Sequence, residues 1–118
     1  IFWIIIIMIC ESISALDFNN EMNIQDVVVF DVRAPEEHEQ FWVLPKVDLY
    51  MNMYADDFFG ELWKLDKSKK YLIYCWHANR TKFLLNYMSN SGFEYIKDLE
   101  GGIDGWVEAW YELVKKET

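Results

Sequence analysis

Tyr71-Leu72-Ile73-Tyr74-Cys75-Trp76-His77-Ala78-Asn79-Arg80-Thr81-Lys82 decides how the chain is read. Tyr71 to Tyr74 is an apolar run with the length and composition of a buried strand. Cys75 stands where it stops, and Arg80 and the Thr81 hydroxyl follow within six residues. From Lys82 to Met88 the spacing predicts a helix, with Phe83 four residues from Tyr87 and Leu84 four from Met88. Cys75 therefore lies in a short loop between a strand end and a helix start. The first N–H groups of a helix have no partner inside it, and the dipole is positive there, so a thiolate facing that end is stabilised. Arg80 adds a fixed positive charge, and a loop curled around the sulfur would form an anion nest. Such a cysteine suits sulfur or phosphate chemistry. On residue types alone it could equally be a small buried hydrophobe.

Working outward, Val27-Val28-Val29-Phe30 is β-branched and fully apolar, the pattern of a parallel strand buried on both faces. Asp31-Val32-Arg33 stands at its C-terminal end, where open α/β sheets gather function. Pro35 to Gln40 starts a helix, with proline in the first turn, acids after it and His38 expected on the solvated side. Before this, Glu11 to Phe18 reads as a short first strand and the start of a helix capped by Ser14. After it come a short strand at Asp48 to Met51, a helix from Phe58 to Leu65 capped by Asp56-Asp57, and a charged turn, Asp66 to Lys70. The helix behind Cys75 stops at Ser91-Gly92. Phe93 to Ile96 is a last strand, Gly101-Gly102 turns the chain, and Trp106, Trp110, Leu113 and Val114 have the spacing of a final amphipathic helix with its face in the core. Strands alternating with helices imply an α/β fold, a mainly parallel central sheet with helices on both faces.

The 118 residues suit one domain, and 53% apolar residues suffice for a core. A net charge of −9 argues against nucleic acid and against anionic membrane surfaces as partners. Cys10 and Cys75 are too few for a disulfide framework. No metal-ligand spacing links Cys10, His38, Cys75 and His77, and no Gly-rich phosphate loop or Gly-x-Ser-x-Gly is present. Residues 1–10, Ile-Phe-Trp-Ile-Ile-Ile-Ile-Met-Ile-Cys, are continuously apolar, too short to span a bilayer, and of the length of a signal-peptide core. We read them as a truncated export signal or membrane anchor, which would put the protein in the periplasm or on a membrane; a buried extra strand or a hydrophobic N-terminal extension, and a cytoplasmic protein, are the alternatives. Residues 11–118 then form the domain, and we expect a monomer.

Three stretches resemble the single-domain rhodaneses. Cys75-Trp76-His77-Ala78-Asn79-Arg80-Thr81 is similar to that family's active-site loop: cysteine, two variable residues, glycine, a variable residue, arginine or serine, then serine or threonine. Asp31-Val32-Arg33-Ala34-Pro35-Glu36-Glu37 resembles its Asp-Val-Arg-x-Pro-x-Glu, and Leu99-Glu100-Gly101-Gly102-Ile103-Asp104-Gly105-Trp106 its Leu-x-Gly-Gly-x-x-x-Trp. The order is right and the coverage runs from about residue 12 to about residue 110. Two departures stand out. Ala78 replaces the loop glycine, and Trp42-Val43-Leu44-Pro45-Lys46-Val47 stands where a Gly-His-Ile-x-Gly-Ala stretch is usual. The resemblance implies a rhodanese fold and a thiosulfate sulfurtransferase without a cofactor. Cys75 would be the nucleophile that carries a persulfide. Trp76, His77, Ala78, Asn79, Arg80 and Thr81 would form the substrate-binding loop, with Asp31 and Arg33 supporting the sheet end. A small anion such as thiosulfate would be the donor, and a thiol or cyanide the acceptor. Two other functions occur on this fold: a non-catalytic binding module, which often lacks the cysteine, and a cysteine phosphatase or arsenate reductase, whose loop has five residues between cysteine and arginine where this chain has four.

Overall fold

A computed structural model describes residues 7–40 and 42–116, with residues 39 and 40 by their backbone alone. Five strands form one parallel sheet: β1 (Ile9–Ile13), β2 (Val27–Asp31), β4 (Leu49–Tyr50), β5 (Lys70–Tyr74) and β6 (Tyr95–Leu99), in the order β1-β6-β5-β2-β4. Two short strands, β3 (Trp42–Val43) and β7 (Val114–Lys115), pair antiparallel beside it. The α/β architecture with a mainly parallel central sheet is thus the one expected.

The period-2 alternation of β2 and β5 divides the core in two. Val27, Val29, Leu72 and Tyr74 face helices α1 (Ala15–Met22) and α5 (Gly102–Glu108), meeting Phe18, Met22, Ile103 and Trp106. Phe30, Tyr71 and Ile73 face α3 (Phe58–Trp63) and α4 (Asn79–Asn90), meeting Phe58, Leu62, Leu84 and Met88. Burying these strands on both sides is what their unbroken apolar runs require.

Local signals set several ends. The Ser14 hydroxyl accepts from the Asp17 N–H at 3.2 Å and opens α1. Pro35 opens α2 (Pro35–Gln40), and Glu37 Oε1 accepts from the Ala34 N–H at 3.1 Å. Gly92 takes φ 95° after α4, and Phe93 N–H returns to the Met88 carbonyl.

Four expectations are corrected. The helix after Cys75 begins at Asn79, three residues before Lys82. Asp57 makes no side-chain cap to α3, which stops at Trp63 rather than Leu65. His38 is buried, 4% exposed, because the C-terminal strand folds over α2: Lys116 Nζ lies 3.2 Å from His38 Nδ1, and the Tyr50 ring packs at 4.7 Å. The final helix does not run to Val114. Trp110 adopts φ 65° and is 93% exposed, and the chain reverses so that Tyr111 packs on Trp106 at 4.7 Å while Trp106 Nε1 donates to the Glu112 carbonyl at 2.8 Å. Satisfying that buried indole N–H outweighs the helical spacing of Leu113 and Val114.

Strand β1 includes Ile9 and Cys10, so the division placed after residue 10 falls inside a strand. Ile7 and Met8 lead into it and are exposed, and residues 1–6 of the apolar N-terminal segment lie outside the described residues. No described helix is long and apolar enough to cross a membrane.

Candidate active site

Strand β5 delivers Cys75 to the C-terminal edge of the sheet, and the chain turns through Trp76, His77 and Ala78 into α4. Cys75 is 1% exposed. Ala78 makes the turn, with φ 73° and ψ −7° and only 2% exposure. That left-handed conformation is costly for alanine, so the loop keeps the backbone shape of a glycine without the glycine. The turn sets the start of α4, twelve residues long, against the loop. Its first N–H groups lack intrahelical acceptors, and its positive dipole end faces the Cys75 side.

Thr81, fully buried in the first turn of α4, holds the cysteine from below. Its Oγ1 is 3.6 Å from Cys75 Sγ and donates to Asp98 Oδ2 at 3.0 Å, with the Ala78 carbonyl at 3.2 Å. Asp98 comes from β6, is fully buried, and also accepts from the Ser12 hydroxyl of β1. A hydroxyl has one proton and two lone pairs. That proton can go to Asp98, to the Ala78 carbonyl or to Cys75 Sγ, and either atom of the Thr81–Cys75 contact can be the donor.

Arg80 is held by a bidentate pair: Nη1 to Glu37 Oε1 and Nη2 to Glu37 Oε2, both 2.7 Å. Glu37 reaches it from α2, and the Tyr54 ring lies 5.3 Å from the guanidinium carbon. The hydrogen bonds from Arg80 hold the Glu37 carboxyl below its ordinary range, and the same bonds raise Arg80. Cys75 is among the smaller causes of that rise, so the guanidinium is within electrostatic reach of the sulfur.

Asp31 and Arg33 brace the sheet end. Both are fully buried. Arg33 Nη2 and Nε bond Asp31 at 2.9 to 3.2 Å, and Nη2 also donates to the Trp42 carbonyl at 3.2 Å. The Tyr74 hydroxyl donates to Asp31 Oδ2 at 2.6 Å; burial first, and then Asp31, push that phenol up. The Arg33 guanidinium carbon sits 5.6 Å from the centres of both the Tyr74 and Trp76 rings, so it supports the loop through Trp76 rather than through Cys75. Burial works against the Arg33 charge, but the Asp31 bonds overcome it and leave the group raised.

Helix α5 locks the loop from the other side. Ile103 N–H donates to the Cys75 carbonyl at 3.0 Å and Asp104 N–H to the Trp76 carbonyl at 3.3 Å. This close approach requires Gly102, whose φ is 59°. His77 is exposed and pairs through Nδ1 with Asp104 Oδ2; Asn79 is also exposed, as the first residue of α4.

All seven loop residues from Cys75 to Thr81 are therefore gathered at one sheet edge, with Asp31 and Arg33 beneath them. Sequence reasoning did not single out Glu37, Asp98, Tyr54 or Asp104. Glu37 occupies the last position of the quoted Asp-Val-Arg-x-Pro-x-Glu pattern, so a signal for it existed. Asp98 carried none, because the last strand reads as Phe93 to Ile96 in the sequence, whereas β6 runs Tyr95–Leu99 and takes in Asp98. Among the described residues no group of three or more His, Cys, Asp or Glu is arranged to hold a metal ion.

Known proteins resemble this chain in sequence and in fold. Thiosulfate sulfurtransferase GlpE of Coxiella burnetii is 27% identical over 99 residues, covering 84% of this chain and 89% of the relative. A rhodanese-related protein from Thermoplasma volcanium superposes with a TM-score of 0.76 at 29% identity, over 90% of this chain and 99% of that one. The polysulfide-sulfur transferase homodimer of Wolinella succinogenes gives 0.68 at 26% identity, over 93% and 80%. The family model for the rhodanese-like domain matches residues 14–109, from the cap of α1 to the end of α5, and the chain belongs to the rhodanese-like family.

Proposed function

We propose that the protein is a sulfurtransferase that moves a sulfane sulfur from thiosulfate or a persulfide donor to a thiol or cyanide. Cys75 thiolate attacks the outer sulfur of the donor. With thiosulfate the S–S bond breaks, sulfite leaves with its electron pair, and Cys75 carries a persulfide. An acceptor nucleophile then bonds to the outer sulfur, and the electron pair of the persulfide bond returns to Cys75. The two steps are covalent catalysis with no net oxidation. Arg80 would attract the anionic donor, and the start of α4 would stabilise both the thiolate and the departing anion.

One observation carries this reading: a buried cysteine at the end of β5, 3.6 Å from a threonine in the first turn of a twelve-residue helix, reached through a left-handed turn at Ala78. A four-residue interval from Cys75 to Arg80 makes a tight cradle, suited to one sulfur atom. The test is thiocyanate formation from thiosulfate and cyanide, with mass spectrometry of the treated protein. Intact protein should gain one sulfur atom on Cys75. Cys75→Ser should abolish turnover, whereas Cys10→Ser, on the exposed edge strand, should retain it. Full activity in Cys75→Ser would overturn the proposal.

A further inference from the structure

Asp98 is a fully buried carboxyl group to which the transfer chemistry gives no part. It lies on the α4 face of β6, two residues from Ile96, in the layer that holds Ile73, Cys75 and Leu84. Its side chain meets two hydroxyls: Thr81 Oγ1 at 3.0 Å from Oδ2, and Ser12 Oγ at Oδ1. Among the described residues no lysine, arginine or histidine pairs with it. Other titratable groups on the elements packed around it are engaged elsewhere. Cys10 of β1 points to the Leu85 carbonyl, Arg80 of α4 is held by Glu37, and Asp104 of α5 by His77. Glu11 of β1 and Glu21 of α1 pair with Lys97. Cys75 is the exception, one hydroxyl away through Thr81. It is 1% exposed, so its thiol proton has little direct access to water.

Resting on the sulfurtransferase reading, we propose that Asp98, acting through Thr81, takes up the proton that Cys75 must lose before it attacks the donor. The Thr81 hydroxyl can bond in either direction between its two neighbours, and the two directions are the ends of one proton shift. At the start the Cys75 thiol donates to Thr81 Oγ1, and the Thr81 hydroxyl donates to Asp98 Oδ2. The thiol proton then bonds to Oγ1 as the Thr81 proton moves to Oδ2. At the end the Asp98 carboxyl donates to Thr81, and Thr81 donates to the thiolate. No proton enters or leaves the site, and one negative charge has moved from carboxylate to sulfur. A thiolate beside an ionised Asp98 would instead put two anions on either side of one buried hydroxyl. The Ser12 hydroxyl holds the other carboxyl oxygen throughout. The second transfer step returns the electron pair to Cys75, and the proton can then go back by the same path. Asp98 touches no substrate; it is a positioning residue for the thiol proton.

The experiment follows sulfite release in the first turnover with thiosulfate, by stopped flow, from about pH 5 to about pH 9. Two groups that share one proton titrate as a pair, so the intact protein should keep a plateau around neutrality and rise again in alkali. Asp98→Asn retains an oxygen for the Thr81 hydroxyl but cannot take a proton. Its rate should climb in a single step from near zero, about tenfold per unit of pH at the acid end. Thr81→Val should lower the neutral plateau at least about tenfold and leave the alkaline limb nearly unchanged, and Thr81→Ser should restore the plateau. A single rise in the intact protein, moved to lower pH by Asp98→Asn, would show a carboxylate that only repels the thiolate and would overturn the proposal. Should Asp98→Asn misfold, infrared difference spectra of the intact protein decide. Loading with thiosulfate should bring up a protonated-carboxyl band that shifts in heavy water and is absent from Thr81→Val. No such band would count against the relay. A persulfide that forms without the neutral plateau defeats this inference alone. A persulfide that never forms defeats it together with the sulfurtransferase reading.

Discussion

A methyl group added to Gly102 would stand 2.5 Å from the Cys75 carbonyl oxygen and 2.6 Å from that of Trp76. Both obstacles are backbone, held by the N–H groups of Ile103 and Asp104, and cannot turn aside. Gly102 also has φ 59°. Gly102→Ala should therefore cost about 2–4 kcal/mol of stability, from overpacking and the left-handed backbone together. It should also displace the loop and lower sulfur transfer. Gly60→Ala in α3, where an added carbon meets nothing within 4 Å, is the control and should leave stability equal or slightly higher. Urea unfolding of both variants checks the contrast.

Ala78→Gly should act in the opposite direction. The left-handed backbone at residue 78 costs alanine about 1 kcal/mol or a little more, which glycine does not incur. Greater freedom of glycine in the unfolded chain takes back about 0.4–1 kcal/mol, so stability should change little. The relaxed loop should close better around the persulfide, and kcat/KM for thiosulfate should rise. A fall in kcat/KM would show that the strained alanine is the better cradle.

Glu37 links stability to acid. Arg80 holds its folded-state ionisation below the ordinary value of 4.5, so the pair's contribution is complete above that value. It is lost as pH falls from there through the depressed folded value. Glu37→Gln should remove this dependence: the difference in stability between intact protein and variant should be constant near neutrality and shrink below pH 4.5. Thermal melts at a series of pH values measure it. A difference that grows in acid would reverse the sign and refute the linkage.

Thr81→Val removes the hydroxyl between Cys75 and Asp98 and leaves a buried carboxylate short of one donor. The expected cost is about 1–3 kcal/mol, with a slower first transfer step. Thr81→Ser keeps the hydroxyl and should recover most of both. Stopped-flow sulfite release and urea unfolding separate the two effects.

Removing the apolar start tests where the domain begins. A chain starting at Met8 retains β1 and should melt close to the full chain. A chain starting at Ser12 strips Ile9, Cys10 and Glu11 from their pairing with Tyr95, Ile96 and Lys97, and should melt several degrees lower. Equal melting of the two would show that β1 adds nothing.

The parts of the fold legible in the sequence were those where one local rule acted alone. Val27 to Phe30 and Tyr71 to Tyr74 are apolar on both faces, and only a strand between two helical layers buries them so. The Cys75 loop was legible because strand end, loop and helix start are contiguous. The rest depended on partners distant in sequence. His38 reads as solvated until Tyr50 and Lys116 arrive over it. Trp110 has helical spacing, but the turn that satisfies the Trp106 indole sends it outward. Glu37 and Arg80 are 43 residues apart, and Thr81 and Asp98 are 17 apart, so their pairings follow from strand order. Ala78 shows the converse: alanine disfavours a left-handed backbone, and the surrounding loop imposes it all the same.

Strand order also has a consequence in time. Strand β1 has one neighbour in the sheet, β6, and Ser12 and Asp98 are 86 residues apart. On a ribosome adding about 5–20 residues per second, β1 waits about 4–17 s for its partner to be made. Through that interval Ile9 and Ile13 have no edge to pair with, while β2, β4 and β5 can already assemble. The newborn chain is therefore most vulnerable to aggregation at β1, and protection from a holding chaperone would matter most there until Leu99 has emerged.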